Sequence, residues 1–337
     1  MLLSILIPMY NAEHFIERCL NSLLHQDLNI NTYEIIVMDD GSRDGSSALV
    51  SKFIIDNPQI KLFSEKNCGA DATRNKMLKI AQGDFIYFVD ADDYVCHNVL
   101  GKLVTYAQNK DLDLLAFKAL VTNNSNELVT DDDFSALHNS EVMTGAQFLV
   151  NNPEHRTEIW WYIINAQFLK NNNIVFEKSK GNGDTIFTLK VFLNAKKIVY
   201  YPITVYRYFL SPDSIMRSRD KEKKLKLIES LFLMLTDFTK LVNDIEDKAI
   251  SSSSLAFDHV KKRQGNSVLF FIHQLLMAKP GTKIFSDYIR KLKKLEMYPV
   301  ETYLIPEKNG VKERLLYQII ANQYLLFPTS LLYKILK

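Results

Sequence analysis

The sequence predicts an α/β protein in which a doubly wound, mostly parallel sheet is followed by a region made mostly of helices. Over the first 120 residues, short apolar runs alternate with stretches whose apolar residues recur at helical spacing. The apolar runs lack the polar alternation of a half-exposed strand, which favours a parallel sheet covered by helices on both faces. From about residue 221 onward only the helical period remains.

Each element of the sheet-forming part has its own local signal. Ser4–Ile7 is predicted as the first strand, ended by Pro8, and residues 13–26 as a helix with apolar side chains on one face. Asp44 or Ser46 is expected to cap the second helix. The remaining strands are predicted at 33–38, 60–63, 85–89 and 198–201, and the remaining helices at 72–81, 99–108 and from Asp184 onward.

The composition is that of a globular protein, 47% hydrophobic and 24% charged, and 337 residues are enough for two domains. Its three cysteines stand far apart without Cys-x-x-Cys spacing, which argues against a zinc site or a disulfide framework and for a reducing compartment. No stretch reaches the roughly 18 apolar residues of a spanning helix. We therefore expect a cytoplasmic protein whose contact with a membrane, if it makes one, is peripheral and on the inner face of the plasma membrane.

The formal charge is unevenly distributed along the chain. Residues 1–215 hold 19 Lys and Arg against 26 Asp and Glu, a balance of −7, whereas residues 216–337 hold 22 against 13, a balance of +9. In segments 290–294 and 312–337 basic residues mix with apolar ones, as in helices that bind anionic membrane surfaces. The alternative, weighted equally, is that these helices pack on the rest of the protein or form a homodimer. We expect no nucleic-acid partner, because no reading motif accompanies the basic residues.

An acidic motif follows the predicted strand 85–89. The strand runs directly into Asp90, Ala91, Asp92 and Asp93, and burying such a carboxylate cluster without partners would cost several kcal/mol. Asp-x-Asp at the end of a strand supplies the hard oxygen ligands that Mg²⁺ or Mn²⁺ takes, together with a substrate phosphate. The alternative is a solvated turn in which Asp93 caps a following helix.

Polar side chains also follow the other predicted strands. Tyr10, Asp40 and Asn67 all come just after apolar runs. Ligands of parallel sheets bind beyond the carboxyl ends of the strands, so these residues predict a site of nucleotide size. The sequence has neither a P-loop nor a Gly-x-Gly-x-x-Gly motif, and its seven histidines lack zinc-site spacing, which excludes the corresponding nucleotide and zinc sites.

The motifs, taken in order, resemble those of the family 2 glycosyltransferases. The matching segments are residues 4–11, 34–42, 67–69, 74–75 and 90–93. The resemblance covers residues 1–215 and implies a GT-A fold, which is Rossmann-like, with inversion at the anomeric carbon of a nucleotide sugar. It implies a catalytic domain at 1–215, made of a nucleotide-sugar-binding half (1–120) and an acceptor-side half (121–215). The basic, mostly helical region 216–337 resembles the variable extension of bacterial surface-polysaccharide transferases.

The resemblance also implies roles for individual residues. Asp40 would accept the uracil imide N–H with help from Asn67, and Asp184 would be the general base. The Asp-x-Asp motif would hold the metal, with Asp92 as the more direct ligand. The other implied substrate-binding residues are Pro8 and Tyr10 at the nucleoside, Arg74 near the base or diphosphate, and Asp90 and Ala91 of the acidic motif.

Two positions depart from the family pattern. The family usually has Glu before the base, where this chain has Gly183, and its commoner Ser-x-Ala-Ala pattern before Arg-Asn is replaced here by residues 70–73, which include Asp71. From the residues alone, Asp184 at a helix start is read more readily as an N-cap than as a base. Trp160 is predicted to stack on a sugar, with core packing as the alternative, and Arg207 to reach the diphosphate.

The sequence thus predicts an inverting glycosyltransferase that uses Mg²⁺ or Mn²⁺. It would move a sugar from a UDP-sugar to a hydroxyl of a lipid-linked glycan during surface polysaccharide synthesis. Two alternatives stay open. One is a sugar-nucleotide-binding scaffold without turnover, and the other is a nucleotidyltransferase, although the Gly-rich triphosphate loop of that class is missing near Pro8.

Overall fold

A computed structural model describes residues 1–124, 128–129, 134–177, 183–210, 220–247, 254–301, 304 and 311–335. The chain forms two compact units, Met1–Pro212 and Asp213–Lys337. The predicted boundary at residue 215 lies outside the described residues. Each unit has its own elements and its own core.

The first unit is the α/β part that the sequence predicts. Its strands are β1 (Leu3–Met9), β2 (Tyr33–Asp39), β3 (Ile60–Ser64), β4 (Phe85–Phe88), β5 (Tyr94–Val95), β6 (Leu114–Thr122), β7 (Tyr162–Asn165) and β8 (Ile198–Phe209). Its helices are α1 (Ile16–Leu24), α2 (Ser46–Asp56), α3 (Ala70–Ile80), α4 (Leu100–Asn109), α5 (Gly145–Asn151), α6 (Ala166–Asn171) and α7 (Gly183–Asn194), with a short 3-10 helix at Ser135–Asn139.

Within the described residues the strands form one eight-stranded sheet in the order β3-β2-β1-β4-β7-β6-β8-β5. The β3-β2-β1-β4 half is parallel, as predicted, and mostly apolar, with Glu34 of β2 ion-paired to Lys61 of β3. The other half is mixed, because β7 runs antiparallel to both β4 and β6, and β5 antiparallel to β8. The strands predicted from the sequence do not include β5, β6 or β7. The last predicted strand ends at residue 201, whereas β8 continues to Phe209.

Pro8 does not end the first strand, contrary to the prediction. β1 continues to Met9, and Pro8 lies opposite Met38 of β2. On its other side β1 pairs with β4 only as far as Leu6, opposite Phe88. Proline lacks a backbone N–H, and beyond the last paired residue of β4 no ladder hydrogen bond requires one.

Aromatic packing fixes α7 against the end of β4. Phe187 of α7 stacks on Phe176 with ring centroids 4.1 Å apart and planes at 5°, and both rings meet Phe88 edge-on. All three side chains are 1% exposed. Because Phe88 lies two residues before Asp90, this cluster brings the first turn of α7 to the acidic motif.

The second unit consists of helices, which confirms the helical C-terminal region. They are α8 (Lys221–Asp247), α9 (Ser254–Met277), α10 (Thr282–Lys294), α11 (Val311–Ala321) and α12 (Gln323–Ile335). Phe232, Phe271 and Tyr288 join α8, α9 and α10, and Lys291 lies over two of these rings. Among the helices of the described residues, none has both the length and the apolar character that crossing a bilayer requires.

Gly145 allows α5 to approach the end of α7 closely. A Cβ at position 145 would lie 1.6 Å from the carbonyl oxygen of Phe192. We expect Gly145→Ala to lower the free energy of unfolding in urea by about 1–3 kcal/mol, because α5 or α7 must shift. Val150→Ala, on the solvent side of the same helix, should change it by less than about 0.5 kcal/mol. Equal effects of the two changes would contradict this packing.

Candidate active site

Hydrogen bonds join the loops that follow the carboxyl ends of β1 and β2. The backbone N–H of Asn11 donates to the Ser42 hydroxyl at 2.9 Å, and the Asn11 side-chain oxygen accepts from the backbone N–H of Arg43 at 2.9 Å. Asn11 has a φ of 49°, in the left-handed region that asparagine tolerates better than most residues. This turn leaves the ring of Tyr10 50% exposed at the edge of the sheet.

Asp40 fixes the loop that precedes α3. Its two carboxylate oxygens accept from the backbone N–H groups of Cys68 at 2.7 Å and Gly69 at 2.9 Å, and Asn67 donates its amide to the Asp40 carbonyl at 2.9 Å. The structure therefore brings Asp40 and Asn67 together, as predicted from their positions after strands. An ionised carboxylate has about four lone-pair sites, so two backbone donors leave it capacity for a ligand. That Asp40 accepts a hydrogen bond from a uracil ring stays a prediction.

Arg74 is the centre of the candidate site. It projects from α3, is 7% exposed, and reaches carboxylates from three segments of the chain. Nη1 lies 2.8 Å from Asp184 and 3.5 Å from Asp71, and Nη2 lies 3.1 Å from Asp90. One guanidinium thus links the acidic motif after β4 to the predicted base at the start of α7.

Burial and charge shift the acidity of this cluster. Burial raises the pKa of Asp184 to about 7; Arg74 opposes the shift, while the charges of Asp90, Asp71 and Glu158 add to it. Burial, and next to it the charge of Asp90, raises the pKa of Asp92 to about 6. For Arg74, burial alone would lower the pKa, but its carboxylate partners outweigh burial and raise it. The guanidinium therefore stays charged at any working pH.

Asp93 secures the acidic motif and does not face a ligand. Its side chain is fully buried, accepting from the Tyr206 hydroxyl at 2.6 Å and from the backbone N–H of Phe209 at 2.7 Å. The alternative in which Asp93 caps a following helix is wrong, because β5 follows it and α4 begins only at Leu100. Tyr206 also accepts from the backbone N–H of Asp90 at 3.2 Å, so β8 holds both ends of the motif.

Trp160 and Arg207 do not line the site, and both predictions require correction. Trp160 is 2% exposed and stacks on Tyr206 at 4.4 Å with planes at 3°, so its ring belongs to the core and is closed to a sugar. Arg207 is 4% exposed and donates to the carbonyl oxygens of Thr204 and Val129 at 3.2 and 3.1 Å. These carbonyls occupy both terminal nitrogens of its guanidinium.

Two residues of the cluster's surroundings were missed from the sequence. Asp71 lies three residues before Arg74 on the same helix, a spacing that places the two side chains side by side. Arg18 of α1 donates to the backbone carbonyl of Asp92 at 2.6 Å and lies over the ring of Phe209 at 4.0 Å. The Asp71 spacing was a usable signal, whereas nothing local points from Arg18 to a residue 74 positions away.

Few side chains at this site could coordinate a metal ion. Within the described residues, no three His, Cys, Asp or Glu side chains form a cluster that could hold a metal ion. Asp90 and Asp92 are the carboxylates available at the tip of β4, and the Asp90 side chain is 30% exposed. Magnesium sites commonly have one or two protein carboxylates and take the other ligands from substrate phosphates and water. The donor set fits an ion shared with a diphosphate and not a cage made by protein alone.

Comparison with known proteins identifies the domain that holds most of these residues. Residues 4–170 match glycosyl transferase family 2. The chain carries a family 2 glycosyltransferase domain. The match spans β1 to β7, with the acidic motif and Arg74 inside it, while Asp184 lies beyond its end.

Proteins similar to this chain are named as glycosyltransferases. YibD of Escherichia coli K12, an uncharacterized glycosyltransferase, is 27% identical over 245 residues, 72% of this chain and 71% of that protein. The processive diacylglycerol beta-glycosyltransferase of Mycoplasma genitalium is 28% identical over 327 residues, 93% of this chain and 90% of that protein. S. aureus TarS 1–349, solved with UDP-GlcNAc, has a TM-score of 0.67 at 22% identity and covers 99% of this chain and 90% of that one. This structural likeness confirms the predicted GT-A fold.

The buried position of Asp184 predicts a carboxyl group that titrates near neutral pH. In a ¹³C NMR titration of side-chain carboxyls, one resonance should have a midpoint of about 7, and Asp184→Asn should remove it. Because Arg74 favours the charged form, Arg74→Met should move the Asp184 midpoint upward. Lys79→Met removes an exposed cation from the same helix and should leave it unchanged. A wild-type midpoint near that of a free aspartate would contradict the buried arrangement.

Proposed function

We propose that the protein is a metal-dependent inverting glycosyltransferase that moves a sugar from a UDP-sugar to a hydroxyl of a glycan acceptor. The observation that supports this most is the bridge of Arg74 between Asp90 and Asp184, at 3.1 and 2.8 Å. It sets the acidic motif, suited to a leaving diphosphate, beside a carboxylate suited to an acceptor hydroxyl.

The nucleoside part of the donor would bind at the ends of β1 and β2. Pro8 and Tyr10 line the slot in this proposal, Asp40 accepts the imide N–H of the base, and Asn67 reads its edge. The exposed ring of Tyr10 and the residual hydrogen-bonding capacity of Asp40 support these assignments. TarS, a protein with the same fold, has been solved with UDP-GlcNAc, which supports UDP as the nucleotide. Whether the sugar is a hexose or an N-acetylhexosamine is the first question for a donor panel.

Mg²⁺ or Mn²⁺ would be held by Asp92 and Asp90. When bound there it would offset the negative charge that grows on the departing diphosphate. The raised pKa of Asp92 supports this position, because burial and the neighbouring Asp90 make an uncompensated second carboxylate unfavourable there. Ala91, which separates the two carboxylates and is 7% exposed, adds no bulk between them.

Asp184 would act as the general base. The acceptor oxygen attacks the anomeric carbon as the bond from that carbon to the diphosphate oxygen breaks, and the hydroxyl proton passes to an Asp184 carboxylate oxygen. A single displacement inverts the configuration. A carboxyl with a pKa of about 7 is partly ionised at neutral pH and is a stronger base than an ordinary aspartate. Arg74 would keep that carboxylate aimed at the reacting centre, and as a fixed positive charge it would also favour the diphosphate.

The acceptor and the location of the enzyme belong to the same proposal. The acceptor would be a lipid-linked glycan of surface polysaccharide synthesis. The Mycoplasma genitalium relative, whose name specifies diacylglycerol, supports a lipid-linked acceptor in general terms. Attachment of the basic C-terminal helices to an anionic membrane, and their alternative use in a homodimer, stay predictions from the sequence.

Asp184→Asn is the direct test. With Mn²⁺ and a panel of UDP-sugars, the wild-type protein should release UDP in the presence of a glycan acceptor. Asp184→Asn should lower kcat at least about 100-fold, because the amide cannot take the proton, while the affinity for the donor is retained. Released UDP gives the rate, and calorimetry with UDP-GlcNAc gives the affinity.

Asp56→Asn, at the exposed end of α2, is the matched control and should behave as wild type. Full transfer by Asp184→Asn would reassign the base. Donor binding without any UDP release by the wild-type protein would favour the scaffold, and pyrophosphate release from a nucleoside triphosphate would favour a nucleotidyltransferase.

Removal of divalent ions tests the metal. EDTA should abolish transfer, and Mn²⁺ or Mg²⁺ should restore it. Asp92→Asn should raise the ion concentration needed for half-maximal rate at least about 10-fold, whereas Asp56→Asn should not change it. Undiminished transfer in EDTA would mean that protein cations alone balance the diphosphate.

A further inference from the structure

The two departures from the family pattern meet in space. Gly183 opens α7 directly before Asp184, where the family usually has Glu, and Asp71 lies in the first turn of α3. A Cβ built on Gly183 would lie 2.6 Å from Oδ2 of Asp71 and 2.7 Å from both its Cγ and its Oδ1. These three atoms are the carboxyl group of Asp71. It therefore occupies the volume in which a side chain at position 183 would begin.

The Asp71 carboxyl is tied into the site. It is 8% exposed and lies 3.5 Å from Nη1 of Arg74, the nitrogen that also donates to Asp184 at 2.8 Å. A second carboxylate on this nitrogen limits the directions in which the guanidinium can turn. The first turn of a helix also favours a negative charge, so α3 is a suitable element from which to supply it.

We propose that Asp71 is a positioning residue that supplies, from α3, the carboxylate that the family pattern supplies from the position before the base. Asp71 holds Arg74, and Arg74 in turn holds Asp184 against the reacting centre. Gly183 is glycine because the relocated carboxylate leaves no room for a side chain. This inference rests on the proposed role of Asp184 and adds a residue that touches neither substrate nor metal.

A carboxylate exchange between the two positions tests the proposal. Asp71→Ala should lower kcat by about 10- to 100-fold with a smaller change in the donor KM, because a shift of Arg74 misplaces the base without emptying the donor site. The double variant Asp71→Ala/Gly183→Glu returns a carboxylate from the other side and should recover at least about 10-fold of that loss. Asp71→Ala/Gly183→Ala fills the space without a carboxylate and should recover nothing.

A merely structural role is excluded by a second readout. Without Asp71, Asp184 loses a neighbouring negative charge and no longer shares Arg74 with a second carboxylate on the same nitrogen. Both changes lower the pKa of Asp184, so the acidic limb of the kcat–pH profile should move to lower pH. Glu17→Ala removes an exposed acid from the first turn of α1 and should change neither kcat nor this limb. Asp71→Asn, which keeps the shape, gives the same comparison if the alanine variant does not fold.

Two results would overturn the proposal. One is wild-type kcat and pH profile in both Asp71→Ala and Asp71→Asn. The other is a Gly183→Glu double variant no faster than the Gly183→Ala double variant. Failure of the proposed function gives a different result, because the wild-type protein would then release no UDP. Failure of the base role alone would show as full transfer by Asp184→Asn whatever stands at positions 71 and 183.

Discussion

The site depends on one guanidinium that stands among three carboxylates. Asp71, Asp90 and Asp184 come from α3, the end of β4 and the start of α7, and Arg74 meets all of them within 3.5 Å. Two unit negative charges at ~4 Å repel by about 4 kcal/mol at the effective dielectric of a protein surface, and buried charges without partners cost more. Arg74 makes the convergence of these segments tolerable. It also explains why Asp184 is acidic enough to ionise near neutral pH although burial opposes its charge.

Beneath this polar layer lies an aromatic one. Phe176 and Phe187 stack on each other, Phe88 closes the cluster edge-on, and the guanidinium of Arg74 lies over Phe176 at 5.5 Å. The rings cannot be displaced without opening the core, so the first turn of α7 has little freedom to move away from β4. Aromatic packing therefore sets the position of the α7 backbone, and the ion pairs of Arg74 then orient the carboxylates of Asp71, Asp90 and Asp184. Charge and packing thus act on different degrees of freedom of the same three segments.

The parallel half of the sheet and the residues at its carboxyl end could be predicted because their signals are local. Apolar runs without alternation predict β1 to β4, and polar residues just after them predict Asp40, Asn67 and Asp90. β7 escaped because Tyr162–Asn165 follows two tryptophans in a stretch without a clear period. Trp160 and Arg207 were misplaced because distant partners, the ring of Tyr206 and the carbonyl of Val129, decide their burial. Of the three aspartates in residues 90–93, the sequence cannot tell that Asp93 is the one whose partners lie on β8.

The tie between Asp93 and β8 has a consequence for how the domain is made. The family match ends at residue 170, yet the hydroxyl of Tyr206 and the N–H of Phe209 that satisfy Asp93 arrive only with β8, more than a hundred residues after the motif they secure. Until β8 has been synthesised and added to the sheet, the Asp93 carboxyl lacks these two hydrogen-bond donors. The acidic motif therefore reaches its final hydrogen bonding only after β8 has paired with β5, and residues 4–170 alone lack two of the donors that secure it.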